Sequence, residues 1–231
     1  MDREPRPRER SVSYEAFRWV EASGVPLKSV QGSIVVDFVD LLDQRETLRD
    51  FGHPVPDETL GKFLWLACRN RSLRPSPFGV AQESRVHPSA GAMHPIHTLI
   101  SAGSGAWHRY DPVHHELREV ACSDNAASLA RAKAHQVVPL NRGTLVALIA
   151  EPGKTAAKYE RYESLIWRDA GVVLGYMSIV AQALGLSFCP LGLTGHPYAL
   201  DGWSTDDELV SAGLAVLGVP KLRNEGKLSV F

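Results

Sequence analysis

The chain has few cysteines and no pattern among them. Cys68, Cys122 and Cys189 are far apart, odd in number and free of CxxC spacing. That excludes a disulfide framework and reads as reduced thiols in a cytoplasmic protein. An excess of charge of one sign is also missing. Lys and Arg number 25 against 26 Asp and Glu, for a net charge of −1, which gives no electrostatic case for nucleic acid or an anionic membrane. The longest apolar run, Ala170 to Leu186, includes Gln182 and follows Arg168 and Asp169, so it falls short of the roughly 20 apolar residues of a membrane span. The amino terminus is polar, charged and proline-bearing, unlike a signal peptide. No GxGxxG follows a strand, no GxxxxGK precedes Ser or Thr, and GxSxG is absent. A dinucleotide fold, a P-loop and a nucleophile elbow are therefore not indicated. Of the nine histidines, the close pairs His94/His97 and His114/His115 fit none of the usual zinc spacings, and no metal is expected.

What is present is core-forming material. Hydrophobic residues make up 44% of 231 positions, which fits one domain of ordinary to large size, or two small ones. Met1 to Arg10 is a charged tail of the kind expected to be disordered. Ser13 to Ala22 has Phe17 and Val20 in helical order and is expected to form a short helix, with Gly24 to Gly32 a loop and Ser33 to Phe38 a strand or helix lead. Asp57 opens a helix after Pro54 and Pro56, with Leu60, Phe63, Leu64 and Ala67 on one face. Asn70 to Ser84 reads as a polar loop. Strands are expected at Ile96 to Ser101, Trp107 to Tyr110 and Glu116 to Val120, turned at Gly103-Ser104-Gly105 and Asp111-Pro112. Asn125 to Gln136 is helical, and Thr144 to Ala150 has the unbroken apolar run of a central strand, ended by Glu151-Pro152-Gly153. Tyr159 to Leu184 is the longest helix signal and is apolar around most of its circumference, which places it inside the protein or at an oligomer interface. Gly185 ends it. Ser187 to Gly192 reads as a short strand and tight turn, Gly213 to Val219 as a last strand, and Lys221 to Phe231 as a basic tail. The pattern is α+β.

The stretch Ser84 to Pro95 holds the densest chemistry. Pro88 fixes its own φ and keeps His87 out of helix. Ser89 stands as an N-cap and Gly91 allows close approach of the backbone to whatever lies above it. One reading is a loop-to-helix cap with no ligand. The other is a seat for a polar or anionic ligand at a helix start.

Several segments together carry a family resemblance. Arg45-Glu46-Thr47-Leu48-Arg49-Asp50-Phe51 resembles the Arg-Arg-Ser-x-Arg-x-Phe opening of FMN-dependent nitroreductase-fold enzymes. Pro88-Ser89-Ala90-Gly91-Ala92-Met93-His94-Pro95 resembles the Pro-Ser-Ala-Gly-Ala-Leu-Tyr-Pro of the SagB-type dehydrogenase branch, with His94 in the place of its Tyr. Trp107 to Pro112 followed by His115 and Leu117, Lys158-Tyr159, and Leu184 to Gly192 are similar to further motifs of that branch, in the same order. The resemblance implies residues 1–40 as a tail and lead-in, 41–223 as an FMN-binding domain and 224–231 as a tail. It also implies a central mixed or antiparallel sheet wrapped by helices, with the long helix at a homodimer interface and FMN lying across that interface.

The residue chemistry agrees with this. Arg45, Thr47 and Arg49 offer two guanidiniums and a hydroxyl to a phosphate, against the alternative of a surface charge pair. Lys221 and Arg223 can add charge there, or belong to a solvated tail. Pro88, Ser89, Ala90 and Gly91 would face the ribityl chain and ring edge. Pro190, Leu191 and Gly192 would place backbone N–H groups where negative charge develops on flavin reduction. Lys158 and Tyr159 are expected to start the long helix and to supply a general base, against a structural role for both. The expected activity is FMN-dependent oxidation of a modified peptide or similar small substrate, of the azoline-to-azole type. The alternatives are a nicotinamide-driven nitro or quinone reductase and a flavin-free partner-binding scaffold.

Overall fold

The computed structural model describes residues 4–28, 35–103, 105–123, 126–140, 142–196, 198–200 and 208–221. Its elements run β1 (Arg6–Pro7), β2 (Val25–Pro26), α1 (Phe38–Gln44), β3 (Phe51–His53), α2 (Asp57–Cys68), β4 (Asn70–Arg74), β5 (Gln82–Arg85), β6 (Ile96–Ser101), β7 (Trp107–Asp111) and β8 (Glu116–Val120). Then follow α3 (Ala126–His135), β9 (Thr144–Ala150), α4 (Pro152–Ala156), β10 (Tyr159–Glu160), α5 (Glu163–Ala183), β11 (Ser187–Pro190) and β12 (Val210–Pro220). Eight strands form one antiparallel sheet in the order β11-β12-β9-β6-β7-β8-β2, with β3 added to the end of β12. Strand β9 lies between β6 and β12, with Ile96 and Val210 both opposite Ala150 and Leu217 opposite Thr144.

Every residue of β9 is buried, which explains its unbroken apolar run. Val146, Leu148 and Ala150 join Leu60, Phe63, Leu64, Ile166, Val173 and Met177 in a core beneath α2 and α5. The alternate residues Leu145, Ala147 and Ile149 join Ala126, Ala130 and Ala134 of α3 on the other face, with Phe17 and Trp19 packed against them. The period of two along one strand thus sorts its side chains between two helical layers.

Several sequence expectations change on folding. Ser13 to Ala22 is not a helix. It is an extended strap whose Phe17 and Trp19 serve the core and whose Ala22 N–H reaches Glu119 O. Buried tertiary contacts outweigh the weak helical period here. Part of the expected disordered tail, Arg6–Pro7, pairs with Tyr159–Glu160. The expected polar loop after Asn70 contains the hairpin β4–β5, whose alternation is masked by charged residues on both faces. The long helix begins at Glu163, so Tyr159 belongs to a two-residue strand instead. The last strand is longer than expected, and the expected lead at Ser33 to Phe38 has residues 33 and 34 outside the described part, with Phe38 opening α1. The basic tail beyond Lys221 also lies outside the described residues.

By length and composition α5, at 21 residues, is apolar enough to cross a membrane. One side of it packs into the core through Leu165, Ile166, Ala170, Val173, Met177 and Ala181. The other side exposes Trp167 and Tyr176, together with Gly171 and Gly175, which face open space. Because Leu148 is fully enclosed at the centre of the sheet, Leu148→Ala should cost about 2–5 kcal/mol of stability, read as a lower denaturant midpoint.

Candidate functional site

Ser89 to His94 forms a tight turn in front of β6. It contains one 3-10 turn at Ala90–Ala92 rather than a helix, and Ser89 does not cap it. The expected N-cap is therefore corrected. The Ser89 hydroxyl donates to Asp169 Oδ2 at 2.6 Å and accepts from the His94 N–H at 2.9 Å, while the Ala90 N–H donates to Asp169 Oδ1 at 3.0 Å. Asp169 lies on the buried side of α5. Burial raises its carboxyl above the ordinary value, and the bonds from Ser89 and Ala90 oppose that rise. Gly91, Ala92 and His94 all have positive φ, at 59°, 57° and 45°. The two non-glycine residues are strained, and Asp169 is what ties their turn to the long helix.

Lys158 and Tyr159 arrive over this turn from the segment between α4 and α5. A Cβ added at Gly91 would lie 2.8 Å from the Tyr159 hydroxyl and from Lys158 Cδ, so only glycine admits both. Lys158 Nζ donates to Gly91 O at 3.0 Å and sits 5.6 Å from the centre of the Phe78 ring. Gln82 Nε2 donates to the same carbonyl at 3.2 Å.

Beside the turn opens a cavity of about 390 Å³, whose lining includes Arg74, Gln82, Ser84, His87, Ser89 and His94. Glu83 and Arg85, also in its wall, are ion-paired, and Lys154 bonds Glu83 from behind. Burial opposes ionisation of Glu83, but Arg85 and Lys154 overcome it and hold the carboxyl well below its usual range. His94 is buried and its Nδ1 has no partner among the described residues. Burial first, then the Arg85 charge, push His94 down to about 3 and His87 down to about 4.

A second group of predicted residues lies elsewhere. Arg45 ends α1, and the backbone from there to β3 is neither helix nor strand. Arg45 and Arg49 are exposed, Thr47 is half-buried, and neither guanidinium bonds or ion-pairs with a described residue. Strand β3 pairs with the end of β12, which brings Gly52 against Lys221, an exposed residue with no ionic partner among the described residues. Burial raises the Cys189 thiol, and the nearby Arg49 charge opposes that rise, so Arg49 stands close to β11. Pro190 has no N–H, and the Leu191 N–H is spent on Leu214 O at 2.8 Å. Of the three residues expected to offer backbone donors, only Gly192 has one free among the described residues, and it faces open space. Arg223 lies outside the described residues.

The Ser89 turn and the Arg49 and Lys221 cations sit at opposite ends of β9. Ile96 and Glu151 mark one end, and the pairing of Thr144 with Leu217 marks the other. Six residue steps along β9 amount to about 20 Å. One chain therefore brings Ser89, Gly91, Lys158 and Tyr159 together at one end, places Arg49 and Lys221 toward the other, and sets the Pro190 turn beside the middle of the sheet, with Pro190 opposite Ala215 and Ala215 opposite Val146.

The sequence model of the Nitroreductase family matches residues 42–218. The chain belongs to the nitroreductase family. A protein of Ralstonia eutropha JMP134 assigned as a nitroreductase superposes with a TM-score of 0.69 at 19% identity, covering 93% of this chain and 99% of that one. A chain of the E. coli microcin synthetase McbBCD complex, solved with truncated pro-MccB17 bound, gives 0.59 at 19% identity over 85% of this chain and 78% of its own. A Desulfovibrio desulfuricans protein assigned as a nitroreductase and solved in complex with FMN gives 0.51 at 15% identity, over 83% and 88%. No curated protein sequence matches the chain. At these identities the superpositions establish the nitroreductase fold alone.

Within that fold the sequence reading missed Asp169, Phe78, Gln82 and His87. Asp169 had a legible signal, as a lone carboxylate in the apolar run of the long helix. The other three are fixed by the β4–β5 hairpin, which charged residues disguised. The His114 considered in the sequence does lie in a potential ligand group with Asp111 and Glu116. Arg118 already pairs with Glu116 and approaches Asp111, so a guanidinium occupies that position.

His87 and His94 make stability acid-sensitive. Their folded pKa values lie below the value of about 6.5 in the unfolded chain, so between those limits the unfolded chain binds more protons. Stability is full above about pH 6.5 and falls as the pH drops, with a slope approaching about 1.4 kcal/mol per pH unit for each histidine. Urea midpoints measured at falling pH should show this decline, and His94→Gln should make it shallower.

Proposed function

We propose that this chain is an FMN-dependent dehydrogenase that oxidises a modified peptide or a similar small substrate. The observation that carries the reading is the meeting of Lys158, Tyr159 and Gly91 beside a polar cavity. The residues that fit FMN belong to the other group. Arg45, Arg49 and Lys221 are three exposed cations with no anionic partner among the described residues, a donor set suited to a phosphate dianion. Gly192 adds a free N–H and room for a planar ring to approach. Bound FMN would supply the acceptor for a hydride.

The chain's own residues have the remaining work. Removing a hydride from carbon leaves a proton to be taken from a neighbouring atom, which needs a base at the same place. Lys158 Nζ is committed to Gly91 O, whereas the Tyr159 hydroxyl bonds to no described group and stands over the turn. Tyr159 is therefore assigned proton transfer, and Lys158 holds the turn beneath it through Gly91 O. The cavity lined by His87 and His94 accepts the substrate. Peptide as a substrate class is supported by the likeness to a chain of the McbBCD complex with its bound pro-peptide.

The gap of about 20 Å between the Ser89 turn and the Arg49 and Lys221 cations in one chain favours an assembly in which each protomer supplies one of them. The exposed Trp167 and Tyr176 on α5, its open Gly171 and Gly175, and the exposed Phe38, Val39 and Leu42 of the contacting α1 form the apolar surface for a homodimer. Sedimentation should show a dimer at micromolar concentration, and Gly171→Arg should shift it to monomer.

Titration with FMN, followed by visible absorbance, tests the cofactor. Arg49→Ala should weaken binding by about 2 kcal/mol, or roughly thirtyfold in Kd. Lys158→Ala and Tyr159→Phe should keep bound FMN yet slow anaerobic flavin reduction by substrate about 10²–10⁴-fold. Unaltered reduction in both, with fast reduction by a nicotinamide, would instead make the protein a nitro or quinone reductase. A protein that stays colourless with added FMN would be a scaffold.

A further inference from the structure

The segment that carries Lys158 and Tyr159 belongs to neither neighbouring helix. Its backbone is held from outside, by the strap that precedes the family-matched region. Strand β1 pairs Arg6 with Glu160 and Pro7 with Tyr159. The Arg8 N–H donates to Lys158 O at 2.9 Å, and the Val12 N–H donates to Ala157 O at 3.1 Å. Arg8 Nε donates to Ala156 O at 2.6 Å, and Arg6 Nε pairs with Glu160 Oε2 at 2.8 Å. Every peptide carbonyl from Ala156 to Lys158 thus accepts from the strap.

The strap is itself fastened by buried groups. The Tyr14 N–H donates to Phe78 O at 2.8 Å, which fixes the ring beneath the Lys158 ammonium. The Tyr14 ring covers Gly153, where any side chain would collide with it. Glu151, almost fully buried, accepts from the Phe17 N–H at 2.7 Å and bonds His97 Nε2 at 2.7 Å. Further along, Glu21 pairs with Arg109, and the Arg109 guanidinium lies 5.7 Å from the centre of the Trp19 ring.

We propose that the strap, residues 6–12, positions Lys158 and Tyr159 over Gly91, with Arg8 as the principal positioning residue. Lys158 has one local bond, a turn bond from its N–H to Thr155 O at 3.1 Å, Tyr159 lies in the two-residue strand β10, and the left-handed Arg161 that follows isolates the segment from α5. Arg8 spans two carbonyls that flank Ala157, Lys158 O with its N–H and Ala156 O with its side chain. When it releases them, the Lys158 side chain loses its lock on Gly91 O and the Tyr159 hydroxyl drifts from the turn. Chemistry at the pair then slows even though fold and cofactor sites stay intact.

This inference rests on the assignment of Lys158 and Tyr159 as the reacting pair, and its test separates the two. Arg8→Ala, Arg8→Lys and Val12→Pro are compared with the unaltered chain by pulse acetylation of lysines and mass spectrometry. Lys158 labelling should rise about fivefold in Arg8→Ala and Val12→Pro, the change in open population expected on losing one hydrogen bond. Labelling of the surface residue Lys62 should not change, and Arg8→Lys should restore much of the protection. With FMN loaded, kcat should fall in Arg8→Ala while KM stays constant, a split that general destabilisation does not produce. In the unaltered chain, amide exchange at Arg8 and Val12 should rise together with Lys158 labelling in urea below the unfolding transition, which keeps the test decisive if a variant fails to fold. Unchanged Lys158 labelling on loss of the Arg8 side chain, or labelling uncoupled from exchange, overturns the positioning role. Full activity in Lys158→Ala and Tyr159→Phe instead overturns the functional assignment, while the labelling still decides what the strap does.

Discussion

Strand β9 has no face to spare for water, and the rest of the molecule is arranged to satisfy that. Its seven residues need two apolar layers, one on each side of the sheet. The α2 and α5 helices supply one. On the other side α3 contributes small alanines, and Phe17 and Trp19 from the strap fill the space that α3 leaves. This is why an amino-terminal segment with little secondary structure of its own is fixed in place. Once fixed, it reaches the residues just past β9, where Glu151, Lys158 and Tyr159 lie. Core packing and the geometry of the candidate site are thus linked through one stretch of backbone.

The turn before β6 depends on a different balance. Positive φ at Ala92 and His94 is unfavourable, by an amount of order 1–3 kcal/mol each. A buried carboxylate repays it by taking two donors from the turn and tying them to the longest helix. The same burial keeps both nearby imidazoles neutral. The cavity wall therefore offers uncharged ring nitrogens above an ion-paired floor of Glu83, Arg85 and Lys154.

Most of the sheet was legible in the sequence because its strands obey simple periods. The bounds of β6, β8 and β9 match the expected ones, and β9 showed its two-sided burial as an unbroken apolar run. The family opening around Arg45 and the turn around Ser89 were equally visible as motifs. What escaped was non-local. The strap is extended because of residues more than a hundred positions away, so its weak helical period misled. Strand β4 hides in charge, since four of its five side chains face solvent. Tyr159 looked like the first residue of a helix because apolar content continues from there, yet its pairing with Pro7 is invisible until the chain is folded.

The β4–β5 hairpin stands apart from the main sheet, and among the described residues no strand but β5 pairs with β4. An open edge of this kind invites a second copy to add its own edge and start an aggregate. Arg71 and Arg74 on β4 oppose that, because two such edges brought together would set arginine against arginine. Self-association along that edge is thus discouraged by charge rather than by a covering element.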